Sequence, residues 1–182
     1  MTQLSDFSPE ETALIISLPY RVGVHVSYAD DEHGEQDDEL EMKALEACIK
    51  EVVRQHDGEQ LSKEIALEIL SRKEQWESWE EGVFNIEPQC EAAISALKAH
   101  ANSQEVKDYI KMTLDVATSV AQAYGEFGEG ADRAEGLFAK IGGIVKSVVS
   151  VGADDAAHPM NVSAAEDSAI SNIAAALKKN MK

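Results

Sequence analysis

The residues whose types and spacing could do chemistry are carboxylates gathered in two short stretches. The first is Ala29-Asp30-Asp31-Glu32-His33-Gly34-Glu35-Gln36-Asp37-Asp38-Glu39-Leu40-Glu41, where Asp30, Asp31, Glu32, Glu35, Asp38 and Glu41 are candidate ligands. The second runs from Ala123 to Glu135 and offers Glu126, Asp132 and Glu135. Carboxylates from a loop and from the first turn of the next helix can converge on a hard cation that takes about six or more oxygens, so the chemistry on offer is binding of calcium or magnesium. An ordinary EF-hand is rejected. Aligned as one, the first stretch puts Gly34 where a ligand belongs and Glu35 where the sharp turn needs glycine, and the second stretch begins on Tyr124. A plainer reading stands beside the cation site: acidic residues stabilise the positive end of a helix, and charge runs are solvated.

Other chemistries lack their residues. His25, His33, His56, His100 and His158 form no His-x-x-x-His or His-Glu-x-x-His pair, which removes a zinc-protease site. A di-iron carboxylate bundle needs Glu-x-x-His on two helices. The chain has no such motif, and Asp30-x-x-His33 is an imperfect substitute. His33 is the one histidine within the acidic stretches, and the second stretch has Phe127 in its place. His25, between two valines, reads as a packed or half-exposed helix residue. No glycine-rich phosphate loop, nucleophile elbow or Cys/His pairing occurs. Trp76 and Trp79 could form a docking patch, but their spacing favours covering the core.

The formal net charge is −18, from 34 acidic and 16 basic residues, an excess that repels phosphate backbones and anionic membranes. Nucleic acid is therefore excluded as a partner, whereas a cation or a protein with a basic surface is suited; self-association stays open. Cys48 and Cys90 are far apart and read as small buried hydrophobes in a reduced compartment. No signal-peptide pattern opens the chain and no apolar run is long enough to span a membrane, so the expected location is cytoplasmic.

The elements that must position the carboxylates are helices. Aromatic residues are only 5% against 44% hydrophobic overall, so the apolar content is largely aliphatic and suits helix packing. Ser8-Pro9-Glu10-Glu11 is a capping box with proline at the first helical position, and Leu14, Leu18, Val22 and Val26 follow at i+4 spacing. Pro19 predicts a kink or break near Leu18. A second helix is expected over about 37–56, a third after Ser62 reaching as far as Trp79, and a connector over Glu81–Pro88. A short helix opened by Pro88 should carry Cys90, Ala93, Ile94 and Leu97, and Ser103 should cap the longest apolar stripe, Val106 to Tyr124. The second acidic elbow should begin at Gly125. A helix with Gly142-Gly143 at a close crossing should follow it, and Ser163-Ala164-Ala165-Glu166 should open the last helix. The expected fold is all-α, a compact bundle of about seven helices. It carries a pseudo-two-fold repeat of helix–acidic elbow–helix units, because Ala29/Ala123, Glu32/Glu126, Gly34/Gly128, Asp38/Asp132 and Glu41/Glu135 are identical at an offset of 94. One domain over 8–182 is expected, with approximate halves 8–80 and 88–182 and a flexible 1–7.

A helix, an Ala-Asp-(Gly-like)-acidic elbow and a second helix, repeated, resembles the tellurite-resistance TerB family; 161–177 is similar to that family's closing helix. The resemblance covers roughly 9–177. It implies a compact helical domain of bacterial stress operons in which acidic residues hold divalent metal, with no established catalytic activity. The family's Ala-Asp-Gly reads here as Ala29-Asp30-Asp31 and Ala123-Tyr124-Gly125, each lacking one member, and the acidic helix starts match Asp38 and Glu41, then Asp132 and Glu135. The functional expectation is a non-enzymatic acidic module of stress or metal response. The alternatives are a ligand-free protein–protein interaction domain and, behind it, a di-metal enzyme.

Overall fold

The computed structural model describes residues 2–30, 38–56, 60–127, 162–179 and 181; for Asp30, 38–42, Val53 and 124–127 it describes the backbone alone. These residues form seven α-helices, and no strand occurs among them. They are α1 (Pro9–Ser27), α2 (Asp38–Gln55), α3 (Gln60–Ser71), α4 (Trp76–Trp79), α5 (Ile86–His100), α6 (Ser103–Phe127) and α7 (Ala164–Lys178). The all-α expectation is therefore met. The helix expected around Gly142-Gly143, the loop over 152–161 and both glycines of the repeat, Gly34 and Gly128, lie outside the described residues.

Helices α1 and α6 are the centre of the bundle and pack along each other. From Ile15 to Val26 only Arg21 and His25 of α1 are not buried, and α6 is buried without interruption from Met112 to Ala121. A helix covered on every side belongs to a core, not to a surface. Around this pair α3 and α5 lie against α1, α2 lies against α6, and α7 crosses α5 and α6. Gly23 lets the centre close up. A Cβ built there would stand 2.6 Å from Leu45 Cδ1 of α2 and 3.4 Å from Val116 Cγ1 of α6. The expectation looked for a close crossing at Gly142-Gly143; the described structure has one at Gly23.

Of the kink or break expected at Pro19, the break does not occur: α1 runs on through it. A helical proline leaves the carbonyl four residues earlier without its amide donor and crowds it. That carbonyl is Ile15, and the hydroxyl of Tyr109 on α6 donates to it at 2.9 Å. Both residues are fully buried, and burial pushes the Tyr109 hydroxyl well above the usual phenol range, so it remains a donor. The central pair is thus joined by a bond that repairs the backbone of one helix with a side chain of the other.

Helix caps explain most of the boundaries. Ser8 Oγ accepts from the Glu11 amide at 3.2 Å while Glu11 accepts from the Ser8 amide at 2.9 Å, as expected for α1. The same arrangement opens α7 at Ser163 and Glu166. The cap of α6 is Asn102, one residue before the expected Ser103. Its Oδ1 accepts from the amides of Gln104 and Glu105, and Glu105 returns a bond to the Asn102 amide at 2.9 Å. Ser8 and Asn102, like Glu11 and Glu105, stand 94 positions apart.

Four other expectations differ from the structure. Helix α3 includes Ser62 and ends at Ser71, and a 3-10 turn over Lys73–Gln75 separates it from α4. The connector before Pro88 holds a 3-10 turn, Val83–Asn85, and α5 begins two residues ahead of that proline. Helix α6 continues through Gly125, Glu126 and Phe127, which were expected to open the second elbow. Residues 2–7, expected as a flexible end, are packed. Leu4 and Phe7 are buried, Thr2 donates its amide and hydroxyl to Glu105 at 3.0 and 2.8 Å, and the Leu4 amide donates to Glu64 at 3.0 Å.

Candidate functional site

No side chain of the expected cation ligands lies among the described residues. Asp31, Glu32, Glu35, Asp132 and Glu135 lie outside them, as does His33, and of Asp30, Asp38, Glu41 and Glu126 only the backbone is described. That backbone is still informative. Asp30 ends a 3-10 turn, Tyr28–Asp30, that follows directly on α1. Asp38 and Glu41 are one turn apart at the start of α2, on one face and at the end where carboxylates are favoured. Glu126 instead stands in the last turn of α6, the negative end of the helix, where a carboxylate is disfavoured. Among the described residues no three His, Cys, Asp or Glu side chains gather as a metal centre would require.

Two other constellations stand out. The first is inside. Nε2 of His56, just past the end of α2, lies 2.8 Å from Oδ2 of Asp115 on α6, and both side chains are buried. Lys111, one turn before Asp115, donates to the same oxygen at 2.8 Å from a partly exposed position. Oδ1 of Asp115 and Oγ of Ser119, the next turn on, are buried without a hydrogen-bond partner. Unsatisfied buried polar atoms cost about 1–3 kcal/mol each, so this node is a demanding place in the core. The sequence signal was an acid in the middle of the longest apolar helix.

The second constellation is on the surface, and it begins in the core. Tyr20 of α1 is buried between Trp76, at 4.7 Å between ring centroids, and Trp79, at 5.8 Å. Both tryptophans are buried, as their spacing suggested, and the Trp76 indole donates to the Ile69 carbonyl at 3.1 Å near the end of α3. The Tyr20 hydroxyl reaches outward to Glu80 Oε1 at 3.0 Å; burial, then the Glu80 charge, push its pKa far above the phenol range. The other oxygen of Glu80 faces the Tyr28 hydroxyl at 3.5 Å. Tyr28 stacks on Phe84 of the 3-10 turn before α5, with centroids 6.0 Å apart and planes at 18°. Phe84 is 81% exposed and Tyr28 41%, which makes this pair the largest exposed aromatic surface among the described residues. His25 Nδ1, 2.8 Å from the Val83 carbonyl, ties the turn to α1, and Arg21 of α1 donates to Gln89 of α5 at 2.7 Å.

Every charged residue of the segment that carries Phe84 is acidic. From Glu74 to Glu87 there are five glutamates and no lysine or arginine. Glu81 and Glu87 stand three residues either side of Phe84 and are exposed. Elsewhere on the outside, Lys50 and Lys73 both pair with Glu46 and hold its carboxyl below the usual range, tying α2 to the turn after α3. Cys48 and Cys90 are both buried, and burial pushes each thiol up to about 12, so neither is a reactive thiolate.

No helix of the described residues is long and apolar enough to cross a membrane. Compared with protein-family models, with curated proteins and with solved structures, the chain matches none.

Proposed function

We propose that this chain is a non-enzymatic acidic helical module, similar in kind to the tellurite-resistance TerB proteins, that serves stress or metal response by associating with a protein partner of basic surface. The observation that carries this reading is where the charge lies. The chain has 34 acidic residues, and among the described ones Asp115 and Glu166 are the only buried carboxylates. The other carboxylates with described side chains therefore reach the surface, where they attract cationic surfaces and repel nucleic acid. The test is titration with a fluorescent arginine-containing peptide and, separately, with duplex DNA. The peptide should bind at low salt and weaken as sodium chloride rises, and the DNA should not bind; a chain that leaves the peptide free at low salt is not such a module.

A divalent cation at the first acidic stretch is the second reading, favoured by Asp30, Asp31, Glu32, Glu35, Asp38 and Glu41 following directly on the turn that ends α1. Binding to the folded state alone would add about 2.7 kcal/mol at roughly a hundredfold excess over Kd. Millimolar calcium or magnesium should then raise Tm beyond sodium chloride of equal ionic strength. Asp30→Asn with Glu41→Gln should remove most of the gain, and Glu129→Gln little of it. An equal rise with sodium would leave these residues as a solvated helix start.

A further inference from the structure

We propose that the Tyr28–Phe84 stack is a docking platform for an arginine side chain of a basic protein segment, laid over the open face of Phe84 in a stretch whose charges, Glu80, Glu81 and Glu87 among them, are all acidic. The inference rests on the interaction-module reading and gives that reading a place and a chemistry.

An aromatic ring that is 81% exposed loses the burial that ordinarily holds such a ring in a fold. Yet this ring is held in place. The turn that carries it is bonded to α1 through the Val83 carbonyl and His25, and its stacking partner Tyr28 faces Glu80, whose other oxygen is bonded to core Tyr20. A platform positioned from the core loses little further freedom when something binds, which favours binding. Its surroundings choose the occupant. Glu80 holds a carboxylate oxygen 3.5 Å from the Tyr28 hydroxyl, and the exposed Glu81 and Glu87 stand three positions before and after Phe84 in a stretch without lysine or arginine. A guanidinium stacks flat on an aromatic face, as a compact ammonium does not, and its edge donors suit carboxylates. A phosphate or an acidic segment would meet like charge here. The nearby cation of α1, Arg21, is turned to Gln89.

The experiment uses the full chain and two fluorescent peptides identical except that one carries arginine and the other lysine. Wild type should bind the arginine peptide more tightly than the lysine one. Phe84→Ala, which leaves the charge unchanged, should weaken arginine binding about fivefold or more and erase the preference over lysine. Phe84→Trp should keep both, and its retained binding shows that the effect belongs to the ring. Glu81→Gln with Glu87→Gln should weaken both peptides and flatten the salt dependence. Phe84→Ala binding both peptides as wild type does would overturn the platform while leaving the module reading intact, since bulk charge alone would then hold them. Wild type binding neither peptide would overturn both. Sedimentation gives a further check: a wild-type dimer that Phe84→Ala converts to monomer would assign the stack to a second copy of this chain and overturn the proposal.

Discussion

Helices α1 and α6 start alike and are buried alike, but they hide different problems. Each begins at a capping box, and Val22 and Val26 of α1, like Val116 and Val120 of α6, are buried. Inside α1 the difficulty is in the backbone: Pro19 strips the Ile15 carbonyl of its donor. Inside α6 it is in the side chains: Asp115, Ser119 and Thr113 are polar and fully buried. Thr113 answers for itself by donating to the Tyr109 carbonyl at 2.9 Å. The backbone fault of α1 is mended by a neighbour already in the core, at the cost of one tyrosine. The carboxylate of α6 needs His56 from α2 and Lys111 from the edge, and still leaves one oxygen without a partner. A missing backbone donor is thus easier to repair than a buried charge is to satisfy.

The largest expected effect lies in α6. His56→Ala removes one member of a buried pair and should lower stability by about 3–5 kcal/mol, read from urea denaturation. Replacing both residues, His56→Leu with Asp115→Leu, should cost less than the single change, because no buried charge is then left over. A single change that costs under about 1 kcal/mol would mean that Lys111 alone sustains Asp115.

A smaller effect is expected across the joint between the helices. Tyr109→Phe leaves the Ile15 carbonyl buried and unpaired and should cost about 1–3 kcal/mol. Pro19→Ala restores the missing amide, so in that background Tyr109→Phe should cost clearly less. A double-mutant cycle reads the difference as a coupling energy. Additive costs would show that the hydroxyl does not answer for the proline.

The smallest effect separates the two caps. Hydrogen bonds from Ser8 hold the Glu11 carboxyl below its ordinary value of 4.5. Burial works the other way at Glu105, but bonds from Thr2 and Asn102 prevail and hold it below the same value. A carboxyl depressed in the folded state contributes stability that is complete above the unfolded pKa and is lost as pH falls through the folded one. The Tm deficit of Glu105→Gln or Glu11→Gln should therefore be full at neutral pH and close below 4.5. Glu105→Gln should show the larger deficit, since Glu105 also anchors Thr2. Equal deficits would detach residues 2–7 from the fold's stability.

Much of this architecture was legible beforehand because it rests on local rules. The caps at Ser8 and Ser163, the apolar stripes of α2, α5 and α6, and the burial of both tryptophans and both cysteines follow from which residues stand three or four apart. The errors share a cause. A break was one of the two outcomes expected at Pro19, since the chain near it contains no donor for Ile15; the donor comes from 94 positions away. The N-terminal residues looked loose because Glu64 and Glu105, which bind them, are remote in sequence. Phe84 was one residue of the expected connector over Glu81–Pro88.

What the amino-acid sequence determined by itself is the helical class, the starts of α1 and α7, and the sign of the surface. Periodicity, capping and net charge act within a few residues or over the whole composition, so no partner in space is needed to read them. Tertiary structure alone decided which helices are central, that α1 survives its proline, that His56 meets Asp115, and that Phe84 stands outside on a support reaching back to Tyr20. Each of these depends on a contact between distant segments, and which segments meet is set by the packing of all the helices at once.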